Sequence, residues 1–183
     1  MARVAKPPKG RPVVSAIYSH VDGLADALTV LEKQYGRVQC ETLETELSEN
    51  NYREEMGDNL LRRFFSFERL IERDQLVKMK FFCQKVEKQM GDVVQDFAFR
   101  TVNLDPGILT PDNLVMASTR EYNHRIYLSE GVFAELTLVH ARGRFVRLPW
   151  TQEDYCKGEA IEFFERVRSS MLPAEEFSNS VQI

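Results

Sequence analysis

Apolar and polar residues alternate along this chain in two distinct periods, and the change of period marks its elements. Val13 to Ser19 (VVSAIYS) is short, apolar and β-branched, which predicts a buried strand. Leu24, Leu28, Leu31 and Tyr35 then recur at helical spacing between Asp22, a candidate cap, and Gly36, a candidate stop. Val38 to Leu43 and Arg62 to Ile71 (RRFFSFERLI) predict further strands. A second helix is predicted from Asp74, with Leu76, Met79, Phe82, Cys83, Val86 and Met90 turned inward and Gly91 closing it. Phe97 to Leu104 reads as a strand stopped by the turn tripeptide Asp105-Pro106-Gly107. Thr110-Pro111 has the form of a helix start, and Leu114 to Thr119 fits helix or strand. Two hairpins follow: His124–Leu128 with Val132–His140 across Ser129-Glu130-Gly131, and Phe145–Leu148 after Arg142-Gly143. Gly158 to Met171 closes the pattern as a third helix.

Up to Leu104 the order is β-α-β-β-α-β. That order predicts an α+β single domain with a mainly antiparallel sheet and helices packed on one face. Its core would be ferredoxin-like and extended by C-terminal hairpins. A basic flexible arm is expected at 1–12, carrying Arg3, Lys6, Lys9 and Arg11, then the domain at 13–172 and a polar tail at 173–183. Within the domain, 41–58 is acidic, with Glu41, Glu44, Glu46, Glu49, Glu54, Glu55 and Asp58 against Arg53 alone. A surface loop anchored at Tyr52 or Met56 is expected there.

Composition narrows the function. At 183 residues and 43% hydrophobic content there is material for one core. The net charge of -4 argues against a nucleic-acid partner. Arg62-Arg63 beside Phe64, Phe65 and Phe67 has the look of a single-strand surface, but at that spacing the phenylalanines are expected to fill the core. No apolar run reaches the ~18 residues of a membrane span, and no secretory h-region is visible. Cys40, Cys83 and Cys156 are odd in number and widely spaced, which argues for reduced thiols and a cytoplasmic setting.

Several pieces carry a family resemblance. They are Tyr52 with Glu55-Met56-Gly57, RRFFSFERLI, VNLDPG, ASTREYNHRIYL, GVFAELTL, and LPW with Asp154-Tyr155, spread over Pro12 to Arg168. In combination they resemble a prokaryotic family catalogued as domain-of-unknown-function family 4416. The resemblance implies a shared fold and function, and brings no activity, cofactor or catalytic residue. A GTP-binding label sometimes given to members finds no GxxxxGK[ST] loop here.

Candidate chemistry follows from strand alternation. One sheet face is expected to gather Asn103, Asp105, Arg125, Tyr127 and Glu135 as ligand-binding candidates. Asp105 and Glu135 offer hard oxygens to a divalent cation, and Arg125 and Tyr127 offer donors to phosphate or carboxylate. The plainer reading is a solvated face with Arg125 paired to Glu135 and Asp105 shaping its turn. His124 falls on the apolar side in this scheme, and His20 follows the first strand; both are acid/base candidates. Trp150 is expected to wedge a helix against the sheet. With no nucleophile–base pair, metal spacing or phosphate loop in the chain, the favoured function is a module binding a small molecule or a protein partner. The alternative is a metal-assisted hydrolase or transferase acting on a phosphorylated substrate.

Overall fold

A computed structural model of the chain describes residues 3–48, 51–94 and 97–173. Strand β1 (Arg11–Tyr18) is buried along its whole length and lies inside the sheet, with a neighbour on either side. It leads through helix α1 (Val21–Tyr35) to β2 (Val38–Glu41), then β3 (Thr45–Glu46), the single turn α2 (Arg53–Met56) and β4 (Leu61–Phe67). Helix α3 (Leu76–Met90) and a small β5 (Asp92–Val94)–β6 (Phe97–Phe99) hairpin precede β7 (Val102–Leu109). The chain continues through β8 (Asn113–Ser118), β9 (Arg125–Ser129), β10 (Val132–Ala141) and β11 (Arg144–Arg147), and ends its described portion with α4 (Gly158–Ser169).

The main sheet runs β11-β10-β8-β7-β1-β4-β2, with β3 on β4 and β9 on β10, and every pairing is antiparallel. Its β7-β1-β4-β2 half has the connectivity of the expected β-α-β-β-α-β core. The domain is α+β and mainly antiparallel.

Alternation along β1 divides the core. Val14, Ala16 and Tyr18 pack under α1 and α3 with Leu24, Leu31, Met79 and Cys83. Val13 turns to the other side, where Phe64, Tyr155, Phe163 and Phe164 form an aromatic cluster with α4. Each such ring contributes about 1.5–3 kcal/mol by burial. The helices therefore do not all share one face: α1 and α3 cover one, α4 the other. Ile17 continues the α4 side under Met56 and Leu60, with Tyr52 packed against them. The acidic stretch is thus anchored at Met56 and Tyr52, as composition suggested, while Thr45–Glu46 is in register with β4.

Three local readings change. The basic arm does not extend to residue 12: Arg11 and Pro12 are buried in β1, and Arg11 donates to the carbonyls of Phe67 and Glu68. Lys6 pairs with Glu72. Residues 1 and 2, and the tail beyond Pro173, lie outside the described residues. Thr110-Pro111 opens no helix; Thr110 closes the β7–β8 hairpin by bonding to Asn113.

Asp105-Pro106-Gly107 is not a turn but the middle of β7, opposite Ser15, Val14 and Val13. Tertiary pairing overrides its turn propensity, and the reason lies in which side lacks a donor. The Leu104 N–H is given to Glu87 rather than to β1, so Leu104 and, two residues on, Pro106 turn their backbone polar groups away from β1. The missing Pro106 N–H therefore falls where β8 would pair, and proline is tolerated only where a ladder bond is not required. β8 pairs β7 only from Gly107 to Leu109, then follows β10 alone through Ala117 and Ser118. The two strands separate at Pro106, and a concavity opens in the gap between them.

Candidate functional site

The gap forms an inner cavity of about 190 Å³, lined by Asn103 and Asp105 from β7, Met116 to Arg120 from the end of β8, and Arg125, Glu135 and Thr137 from β9 and β10. Lys80, Glu87 and Arg100 reach in from α3 and the entry to β7. An outer cavity of about 380 Å³ adjoins it, with Arg62, Arg147, Trp150 and Asp154 among its walls. Tyr52, Arg120 and Gln152 line both.

Four of the five residues expected on one polar face therefore surround one space. Arg125 Nε donates to Glu135 Oε2 at 2.7 Å, and Asn103 Nδ2 donates to Asp105 Oδ2 at 2.8 Å. Tyr127 stands apart: it is exposed and packs against Phe133. His124 is not on the apolar side, because it precedes β9 and its Nε2 lies 3.1 Å from Glu135 Oε2. Its ring stacks on Trp150, with centroids 5.0 Å apart, and on Tyr122. Trp150 wedges no helix; it is partly exposed and donates through Nε1 to the Leu136 carbonyl. His20 is exposed at the start of α1 and lines neither cavity.

Three charge pairs fill the inner walls. Lys80 Nζ lies 3.1 Å from Asp105 Oδ1, Arg100 Nη1 lies 3.6 Å from Glu87 Oε2, and Arg125 holds Glu135. Arg100 also donates to Asn103 Oδ1 and pairs with Glu55, tying the acidic loop to the cleft. Burial alone would raise the Asp105 carboxyl, but the Lys80 ammonium, Arg62 and the Asn103 amide hold it below the ordinary carboxylate value. Burial raises Glu87, against the opposing Leu104 N–H, Lys80 and Arg100. Lys80 stays cationic: burial would lower its pKa, yet Asp105 and Glu87 raise it overall. The Asp105 charge, then burial, push the Tyr52 phenol up to about 12, so it remains a donor at neutral pH.

The carboxylates of Asp105 and Glu135 are engaged by neighbouring side chains. Asp105 accepts from Lys80 and Asn103, while Glu135 accepts from Arg125 and contacts His124 and the Thr137 hydroxyl. Among the described residues no group of three or more His, Cys, Asp or Glu is arranged to hold a metal.

The outer cavity is lined by Arg62, Arg120 and Arg147 against Glu153 and Asp154. Arg62 is 3% exposed, pairs with Asp154 at 3.4 Å, donates to Gln152 and lies over the Tyr155 ring; its Nε has no acceptor among the described residues. Asp154 also takes Lys157 and Ser48, which with Arg62 hold its carboxyl below the ordinary value although burial alone would raise it. Arg120 and Arg147 are exposed and make no ion pair among the described residues. Arg120 is nonetheless placed by its backbone: its N–H goes to Ser118 Oγ and its carbonyl accepts from Arg125.

Sequence reasoning did not single out Lys80, Glu87, Arg100, Arg120, Arg147 or Gln152. A signal for two of them was present. Lys80 and Glu87 fall at helical spacing with Leu76 and Cys83, on the buried stripe of α3, and charge within an apolar stripe calls for a partner. Arg120 and Arg147 gave no signal, because only the fold brings them together.

Fold and site together define an α+β domain whose sheet splays to hold a charged, two-chambered cleft. The chain matches the family described as Domain of unknown function (DUF4416) over residues 8–171 and belongs to that family. No curated protein and no solved structure matches it.

Proposed function

We propose that this protein is a binding module for a small anionic molecule, held in the cleft where β7 and β8 separate. The observation that carries this reading is Arg120 at the junction of the two cavities, with Arg147 on the outer wall, neither of them in an ion pair among the described residues. Guanidinium groups match phosphate and carboxylate in charge and in the geometry of their donors. The buried Arg62, with Nε unsatisfied among the described residues, offers a further donor in the outer cavity, which Glu153 and Asp154 also line. A small ligand fits better than a nucleic acid: the net charge of -4 supplies no overall basic field to attract a polyanion. Among the described residues no helix is long and apolar enough to cross a membrane. The free thiols of Cys40, Cys83 and Cys156 support a reducing cytoplasmic setting.

Thermal melting in phosphate and in chloride at matched ionic strength tests this reading. Phosphate is expected to raise the Tm of the wild type as ln(1 + [L]/Kd). The combined Arg120→Ala, Arg147→Ala variant is expected to lose most of that rise. Equal shifts in the two proteins would overturn it.

A further inference from the structure

The two chambers differ in how their charges are paired, and the difference describes a ligand. In the inner chamber each carboxylate already has its own cation: Lys80 on Asp105, Arg100 on Glu87, Arg125 on Glu135. Of its charged side chains only Arg120, where the two chambers meet, is outside an ion pair among the described residues, so a charged group deeper in the chamber would meet its like without a free counterpart. A neutral body suits the chamber better. Its walls carry little apolar surface beyond Met116, Ala117 and two tyrosine rings, so an aliphatic body would strip water from carboxylates and amides and replace none of their hydrogen bonds. Hydroxyl groups do replace them. A carboxylate has about four acceptor positions, and the Asp105 oxygens spend two bonds on Lys80 and Asn103. The cavity of about 190 Å³ equals roughly six water volumes, room for a body of about three to six carbons. The anionic end falls at Arg120, where the chambers meet, with Arg147 on the outer wall; neither is in an ion pair among the described residues, although Glu153 also lines the outer chamber.

Resting on the anion-binding reading above, we infer that the ligand is a phosphorylated polyol, a phosphate monoester of a short sugar or sugar alcohol. Its phosphate lies at Arg120 and Arg147 and its hydroxylated body lies between β7 and β8.

Calorimetric titration of the full chain with inorganic phosphate, glycerol 3-phosphate, glucose 6-phosphate and glucose tests this. At least one ester is expected to bind about tenfold or more tighter than inorganic phosphate, a gap of ~1.4 kcal/mol, and also tighter than glucose. The isosteric Thr137→Val, which removes a lining hydroxyl without changing the charge, is expected to reduce the ester's advantage and leave inorganic phosphate binding as it was. Equal affinity for inorganic phosphate and both esters in the wild type would overturn the polyol and leave the anion site standing. So would an advantage that Thr137→Val retains in full. Failure of phosphate and esters alike would overturn the anion site itself, and the inorganic phosphate arm tells the two failures apart. The decisive comparison uses the wild type, so it stands even where a variant folds poorly.

Discussion

Gly107 faces Met116 across the last rung shared by β7 and β8, and a Cβ placed on Gly107 would lie 2.3 Å from Met116 Sδ and 2.9 Å from the Val115 carbonyl oxygen. The strands pair there because residue 107 has no side chain, and they diverge at the preceding residue because Pro106 has no N–H. The cleft is the product of that dipeptide.

Gly107→Ala is therefore expected to destabilise the fold by about 1–3 kcal/mol, through overpacking against a backbone oxygen as well as a movable thioether. Urea denaturation checks it, as a lowered midpoint at unchanged slope. A neutral effect would mean the rung gives way and does not fix the cleft.

Much of this fold is legible from hydrophobic period. Leu24, Leu28, Leu31 and Tyr35 mark α1, and the two hairpins show themselves at Glu130-Gly131 and Arg142-Gly143, all four with positive φ. Strand alternation also brings Asn103, Asp105, Arg125 and Glu135 to one side. It fails where local propensity and tertiary pairing conflict: Asp105-Pro106-Gly107 carries turn chemistry but is held straight by eight rungs to β1. It fails again at His124, whose position outside the strand releases it from alternation, and at Tyr127, which shares the face of Arg125 but lies beyond the cavity. The cations that distinguish the outer chamber come from segments far apart in sequence, and no spacing rule reaches them.

Asp105 and Glu87 are expected to affect stability with opposite signs. The folded-state pKa of Asp105 is lowered, so its contribution is complete above the ordinary carboxylate range, ~3.9, and is lost as pH falls through the lowered value. Asp105→Asn leaves the Lys80 ammonium buried without this partner, at a cost of about 2–3 kcal/mol at neutral pH. That is below the figure for a dry pair, because Asp105 retains some solvent contact. The folded-state pKa of Glu87 is raised, so its charge opposes folding at neutral pH and that opposition is relieved on acidification. Glu87→Gln, whose amide oxygen still accepts the Leu104 N–H, is expected to be more stable than wild type at neutral pH and to converge with it in acid. Denaturation midpoints measured across pH 7 to ~3 decide both. A gain for Glu87→Gln that grows on acidification would contradict the assignment.

Divalent cations are expected to leave the melting temperature unchanged, since the oxygens of Asp105 and Glu135 are committed to Lys80, Asn103 and Arg125. Melting scans with Mg²⁺ and Mn²⁺ check it for wild type and Asp105→Asn. A cation-dependent rise in the wild type that Asp105→Asn abolishes would favour the metal-assisted reading.

If an anion binds where the two chambers meet, backbone amide NMR during a titration with inorganic phosphate will locate it. Saturable shifts are expected at Ser118 to Arg120, at Arg147 and Leu148 and at Trp150 to Gln152, and they should be absent when Arg120 and Arg147 are both alanine. Saturable shifts confined to other surfaces, or none at all, would contradict binding at this junction.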